Sequence, residues 1–146
     1  MTMEELNSRN GASELREFDL GYLSHSFRWS TGLVAYVSVE ANNKVLGLET
    51  SDRRYRSARG AGVTMSEGAV RLAHGLAPVR LEMSLPGLGH YRVLVYDSEG
   101  VAFAVVSEEN LRARYPPTRM PVGLVAWLTI FPPGEGGKIF PLTARR

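Results

Sequence analysis

The sequence predicts an α+β protein, a curved antiparallel sheet of six or seven strands with one main helix, about residues 66–74, packed on it. Three observations carry this. Residues 33–40 and 79–85 follow a period of two, and 101–106 is a short apolar run after a turn. The links between most of these runs are of hairpin length. One stretch only, 65–76, changes to a helical period. Runs of strand linked in this way point to an antiparallel sheet, not to the alternating units of nucleotide-binding folds.

The elements follow in order. Residues 1–20 are polar to amphipathic and are split by Asn10-Gly11. Ser13 is placed to cap one or two helical turns over 13–18, and the first ten residues are expected to be mobile. Residues 22–29 mix aromatic and polar side chains with near-alternation, a strand signal. Leu33, Ala35, Val37 and Val39 then share one face of an extended chain, with Val34, Tyr36, Ser38 and Glu40 on the other. Asn42-Asn43 tolerates the positive φ of a tight turn, and 45–50 returns as a second strand.

A loop rich in Arg and Gly spans 51–63. In the helix that follows, Met65, Ala69, Leu72, Ala73 and Leu76 recur on one face, which is expected to pack on the sheet. Glu67 and Arg71 stand four apart in the favourable order. Gly75 ends the helix and Pro78 prevents its resumption. Next come strands at 79–85, 91–96 and 101–106, turned at Pro86-Gly87-Leu88-Gly89 and at Asp97-Ser98-Glu99-Gly100. Ser107 is placed to cap a short helix over 107–114. Residues 122–131, apolar on both faces, read as a buried central strand. Residues 139–142 read as a short edge segment, confined there by Pro141. The organisation is an N-terminal segment, 1–20, and a single α+β domain, 21–146.

Composition bounds the function. The 146 residues are 44% hydrophobic and 22% charged, which excludes wholesale disorder. No apolar run approaches the roughly 20 residues of a membrane span. The chain has no cysteine, which excludes disulfides, thiolate metal sites and a cysteine nucleophile. A net charge of +2 is too small for a general nucleic-acid coat. The polar, acidic residues 1–18 lack the pattern of a secretion signal, so the expected compartment is the cytoplasm, with an exported form lacking its leader left open.

The stretch Ser51-Asp52-Arg53-Arg54-Tyr55-Arg56-Ser57-Ala58-Arg59-Gly60-Ala61-Gly62-Val63-Thr64-Met65-Ser66, followed by a helix closing on Gly75, resembles a pattern in small bacterial domains. In that pattern a hairpin strand leads to a Gly-rich loop containing Tyr-Arg, then to a Gly-Met-Thr/Ser-x-x-Glu-Val helix start. Over about residues 45–106 the chain is similar to the helix-and-sheet modules of the outer-membrane lipoprotein family SmpA/OmlA and of the β-lactamase-inhibitor-like fold. The resemblance implies a bacterial protein that binds other proteins and supplies no catalytic residue. Thr64 stands where the pattern has Gly and Ala69 where it has Glu. Ser66 as N-cap therefore lacks its reciprocal Glu, and Thr64 with Glu67 offers a substitute capping box. The lipoprotein cysteine is absent, so membrane anchoring does not carry over.

Arg53, Arg54, Arg56 and Arg59 around Tyr55 form the sharpest chemical feature. Arginine forks bind phosphate and carboxylate, and an aromatic neighbour stacks a base. The ordinary reading is a solvated loop whose arginines pair with acids such as Asp52 and Glu49. A phosphate-binding Gly-Lys-Ser/Thr is missing. His74 belongs to the last helical turn, where a cation suits the helix dipole. His25 and His90 fall on strands, and none of the three histidines has the spacing of a helical metal site. No Gly-x-Ser-x-Gly elbow is present, and the adjacent Glu108 and Glu109 point apart.

No catalytic residue, metal or cofactor is therefore assigned. Trp29, Tyr36, Phe103, Trp127 and Phe131 read as core aromatics, or as the lining of a partner surface if one face of the sheet is uncovered. One helix of about three turns is short for a sheet roughly 25–30 Å wide at ~4.8 Å per strand. The expected function is accordingly a non-enzymatic interaction module that self-associates as a homodimer through its sheet. The first alternative is binding of an anion or nucleic acid through loop 53–59. The second is a small-ligand-binding protein or small enzyme with a pocket against the sheet.

Overall fold

The computed structural model of the chain describes residues 2–15, 24–38, 44–77, 79–85, 89–107 and 121–142. Its elements are α1 (Met3–Asn10), β1 (Glu14–Leu15), β2 (Ser24–Arg28), β3 (Val34–Ser38), β4 (Val45–Thr50), α2 (Glu67–His74), β5 (Val79–Leu85), β6 (Gly89–Tyr96), β7 (Val101–Val106) and β8 (Val125–Ile130). The class is α+β, as expected. Seven strands, extended at one edge by the two-residue β1, form one open antiparallel sheet in the order β1-β2-β3-β4-β8-β7-β6-β5. The interior place of β8 matches its mainly apolar sequence, in which Thr129 alone is polar. The Asn42-Asn43 and Pro86-Gly87-Leu88 turns, residues 16–18 and the helix expected over 108–114 lie outside the described residues. No helix among the described residues is long and apolar enough to cross a membrane.

The chain divides into two compact units. The first comprises residues 1–50, 97–100 and 129–146. Its opening residues, expected to be mobile, form α1. The Thr2 hydroxyl caps it by accepting from the Glu5 N–H at 3.2 Å, and Gly11 at φ +84° ends it. Helical turns over 13–18 do not form at Glu14–Leu15, which pair with β2 instead. Met3 and Leu6 of α1 bury themselves in a cluster with Trp29, Ala35 and Val37. The Trp29 indole N–H donates to the Gly11 carbonyl at 3.0 Å, which ties the end of α1 to the β2–β3 turn.

The opposite face of the same strands carries Ser26, Tyr36, Gly47 and Glu49. Ser26 and Glu49 are buried there, and the Tyr36 hydroxyl donates to the Glu49 carboxylate. A side chain at Gly47 would strike Ile139 and the Ile130 carbonyl, so the closing C-terminal segment packs directly on bare backbone. That segment is a correction to the sequence reading. Residues 139–142 are not an edge strand, because the N–H groups of Ile139 and Phe140 both turn back to the Gly136 carbonyl. Ile139 and Phe140 are fully buried, and Phe140 meets Phe131 edge-on with ring centroids 6.1 Å apart.

The second unit comprises residues 51–96 and 101–128. Here β5, β6 and β7 form an antiparallel meander with Leu81 opposite Val93 and Leu94 opposite Phe103. All six residues of β7 are buried, so both of its faces are covered. The five aromatics Trp29, Tyr36, Phe103, Trp127 and Phe131 are all buried within the chain's own fold, which leaves them as core. They line no exposed surface of the sheet.

α2 requires a second correction. Its buried residue is Val70, packed with Leu94, Phe103, Val105, Val125 and Leu128 and flanked by Ala73 and Ala77. Leu72 and Leu76, expected on that face, are 90% and 80% exposed. Within the helix, Val70 and Ala73 compete with Leu72 for the inward side and the fixed ends select the first two, while Leu76 and Ala77 lie past the Gly75 end. At one end Ser66 bridges Leu124, and the Glu67 N–H donates to the Gly123 carbonyl at 3.0 Å. At the other the Tyr96 hydroxyl donates to the Gly75 carbonyl at 2.8 Å.

Val70→Ala should therefore destabilise the protein by about 1–3 kcal/mol in chemical denaturation. Leu72→Ala, which removes a larger side chain, should change stability by less than ~0.5 kcal/mol.

Candidate functional site

The loop that leads into α2 is built by its own side chains. Asp52 accepts from the Arg54 backbone N–H at 2.9 Å and from the Arg54 guanidinium, with the shortest contact at 2.6 Å. The guanidinium and the backbone N–H of Arg54 hold the Asp52 carboxyl down, from an ordinary 3.8 to about 2. Asp52 in turn raises the pKa of Arg54. Arg56 lies back across the loop. Its Nη1 donates to the carbonyl of Arg53 at 2.7 Å and of Val63 at 3.4 Å, while its backbone bridges Gly62. A side chain at Gly62 would collide with Arg56 and with the Tyr55 carbonyl.

The next turn is closed by Ser57. The Ser57 N–H donates to the Ala61 carbonyl at 2.7 Å, and the Ala61 N–H donates to the Ser57 hydroxyl at 3.1 Å. Gly60 at φ +86° permits this reversal. Ala61 and Val63 then enter the core. The loop is stitched to β8 where the Thr64 N–H donates to the Val125 carbonyl and the Val125 N–H to the Met65 carbonyl, at 2.9 and 2.8 Å.

One side-chain bond fastens this loop to the far end of α2. The Ser57 hydroxyl meets Nε2 of His74 at 2.7 Å. Because the Ala61 N–H already occupies a lone pair of that oxygen, its proton is available to the imidazole. The His74 ring packs on Tyr96 and Phe103, with centroids 5.1 and 5.2 Å away. His74 thus stands at the helix end as expected, and its further task is to hold the arginine loop. The Ser57–His74 pair has hydroxyl–imidazole geometry, yet its oxygen is committed to closing the 57–61 turn.

At the other end of α2, Ser66 is the N-cap and accepts from the Ala69 N–H at 3.1 Å. The substitute capping box of Thr64 and Glu67 does not form. Thr64 adopts φ +74° and spends its N–H on Val125, and the Glu67 carboxylate turns to arginines. Arg71, Arg80 and Arg92 approach it at 3.2, 3.9 and 3.4 Å, and Arg92 also reaches Glu82 at 2.8 Å. Glu82, and then Glu67, raises the pKa of Arg92.

The structure therefore brings arginines together at a place the sequence did not single out. Among the loop residues Arg53, Arg54, Arg56, Arg59 and Tyr55, Arg54 pairs with Asp52 and Arg56 with carbonyls. All five are exposed, Tyr55 by 58%. The Glu67–Arg71 pair was visible from its spacing. The Arg80, Arg92 and Ser57–His74 contacts were not, since they join residues 13 to 25 apart in the chain. The imidazole of His90 meets the Ser84 hydroxyl across the hairpin at 2.6 Å. Among the described residues no group of three or more His, Asp or Glu is placed to hold a metal ion.

What remains outward on this unit is a mixed surface. Leu72 of α2 and Leu76, just past its Gly75 end, are exposed, and the arginine loop is tied to the last turn of the same helix by Ser57 and His74. No family model, curated protein or solved structure matches the chain.

The Asp52–Arg54 clamp has a stated pH dependence. Its contribution is complete above the ordinary carboxyl value of 3.8 and is lost as pH falls through about 2. Carboxyl-resolved NMR should give Asp52 a midpoint near 2, returned toward 3.8 in Arg54→Ala.

Proposed function

We propose that this chain is a non-enzymatic interaction module that docks an acidic, apolar-bearing segment of another protein on the outer face of α2. The observation that carries this reading is the exposure of Leu72 in α2 and of Leu76 just past its Gly75 end, at 90% and 80%. The two leucines stand on either side of the helix end as large exposed apolar side chains. Gly68, a turn earlier on that side, has only the Ser66 hydroxyl near its would-be side chain, so a partner reaches the backbone there.

Charge supplies the partner's sign. Loop 51–60 holds four arginines against one aspartate, a net +3, beside a helix whose Glu67 and Arg71 cancel. The Ser57–His74 bond keeps that charge at the last turn of α2. A basic rim beside an apolar strip favours acidic partners through rate and register, and the apolar contact favours their retention. The expected protein partner thus meets a helix, where the sequence had pointed to the face of the sheet.

The test uses two matched baits, the wild-type chain and Leu72→Ser/Leu76→Ser, both confirmed folded by an unchanged thermal melt. The wild type should retain one or a few acidic proteins from its host extract, with release by moderate salt, and the variant should lose them. Equal retention by both baits, or retention of nucleic acid alone, contradicts the reading.

A further inference from the structure

The last strand in the sheet order, β5, has β6 on one side and no strand among the described residues on the other. An edge strand presents unpaired backbone N–H and C=O groups to any chain that can align with them. Edges are commonly blunted by charges of one sign. β5 carries charges of both signs, Arg80 and Glu82, on one face, with Val79, Leu81 and Met83 on the other.

That pattern is self-complementary. In an antiparallel pair centred on Leu81, the partner positions sum to 162. Arg80 then faces Glu82 of a second copy, Glu82 faces its Arg80, and Val79 faces its Met83. Both faces of the new pair match at once, charge against opposite charge and apolar against apolar. A register shifted by one residue sets Arg80 against an apolar residue, and centring on Glu82 sets two glutamates against each other. Pro78 has no N–H and ends the ladder, leaving 79–83 as its core.

The two charged side chains are held ready. The Glu82 carboxylate receives Arg92 Nε at 2.8 Å, and Arg80 leans toward Glu67 at 3.9 Å. Their side chains are 57% and 45% exposed. We infer that β5 is a homodimerisation edge: two copies of this chain join by antiparallel β5–β5 pairing about Leu81, with Arg80 and Glu82 exchanging ion pairs across the two-fold axis. The interface is isologous, as two-fold symmetry requires. A strand pair this short belongs to the small, reversible class of interfaces. The inference does not rest on the α2 docking surface, which uses other residues.

The absence of cysteine makes a register-specific test direct. In the proposed dimer, Arg80→Cys cannot cross-link to itself, nor can Glu82→Cys. A mixture of the two chains places one cysteine opposite the other, within the Cα separation a disulfide accepts, and keeps one Arg80–Glu82 ion pair intact. Both variants should melt as the wild type does. Under mild diamide oxidation the mixture should give a disulfide-linked heterodimer in at least about tenfold excess over either homodimer. Wild-type chain at roughly 100 μM, well above a micromolar Kd, should show dimer by light scattering. A strictly monomeric wild type, a faster Glu82→Cys homodimer, or a dimer that never cross-links in the mixture would each overturn the inference.

Discussion

The proposed docking surface depends on the rotation of α2. α2 has eight residues, and hydrophobic burial alone would turn its largest apolar side chain, Leu72, inward. Polar bonds at the two ends decide otherwise. Ser66 and Glu67 tie the N-terminal end to Leu124 and Gly123, and Gly75 takes the Tyr96 hydroxyl at the C-terminal end. Glu67 then faces three arginines, and His74 reaches Ser57. With those contacts satisfied, Val70 enters the core and the leucines stay outside. Each bond contributes only on the order of 1 kcal/mol, but leaving several of these groups unpaired would cost more than burying Leu72 returns.

The sheet pushes interaction to its margins. Both faces of β7 are buried, and the large aromatics are spent on the core. A partner finds no apolar sheet face in the described residues. It finds two exposed leucines at the end of α2 beside an arginine loop, and the edge of β5. The arginine loop suits steering more than tight capture of a single anion, since Arg54 clamps Asp52 and Arg56 braces the backbone.

Much of the fold was legible because alternation is a local property. The strand pattern at 33–40 became β3, and those at 79–85 and 101–106 became β5 and β7. The Ser66 cap and the Glu67–Arg71 pair were also readable, each within four residues. α1 had its own signal, Thr2 three residues before Glu5, which was outweighed by the general looseness of chain ends. The candidate site was less legible. Choosing which side of the helix turns inward needs knowledge of what lies at the helix ends, and those partners stand far away in the chain. The same holds for Ser57 with His74 and for Glu67 with Arg92. The final residues failed differently, because Pro141 and Ile139 suggest an edge strand while three glycines, Gly134, Gly136 and Gly137, allow a turn that buries Ile139 and Phe140.

Methyl-resolved NMR tests the orientation of α2 most directly. The account predicts nuclear Overhauser contacts from the Val70 methyls into the cluster of Leu94, Phe103 and Val105, and only solvent-exposed signals from the methyls of Leu72 and Leu76. Contacts from either leucine to Leu94 or Phe103, with Val70 facing water, would contradict it.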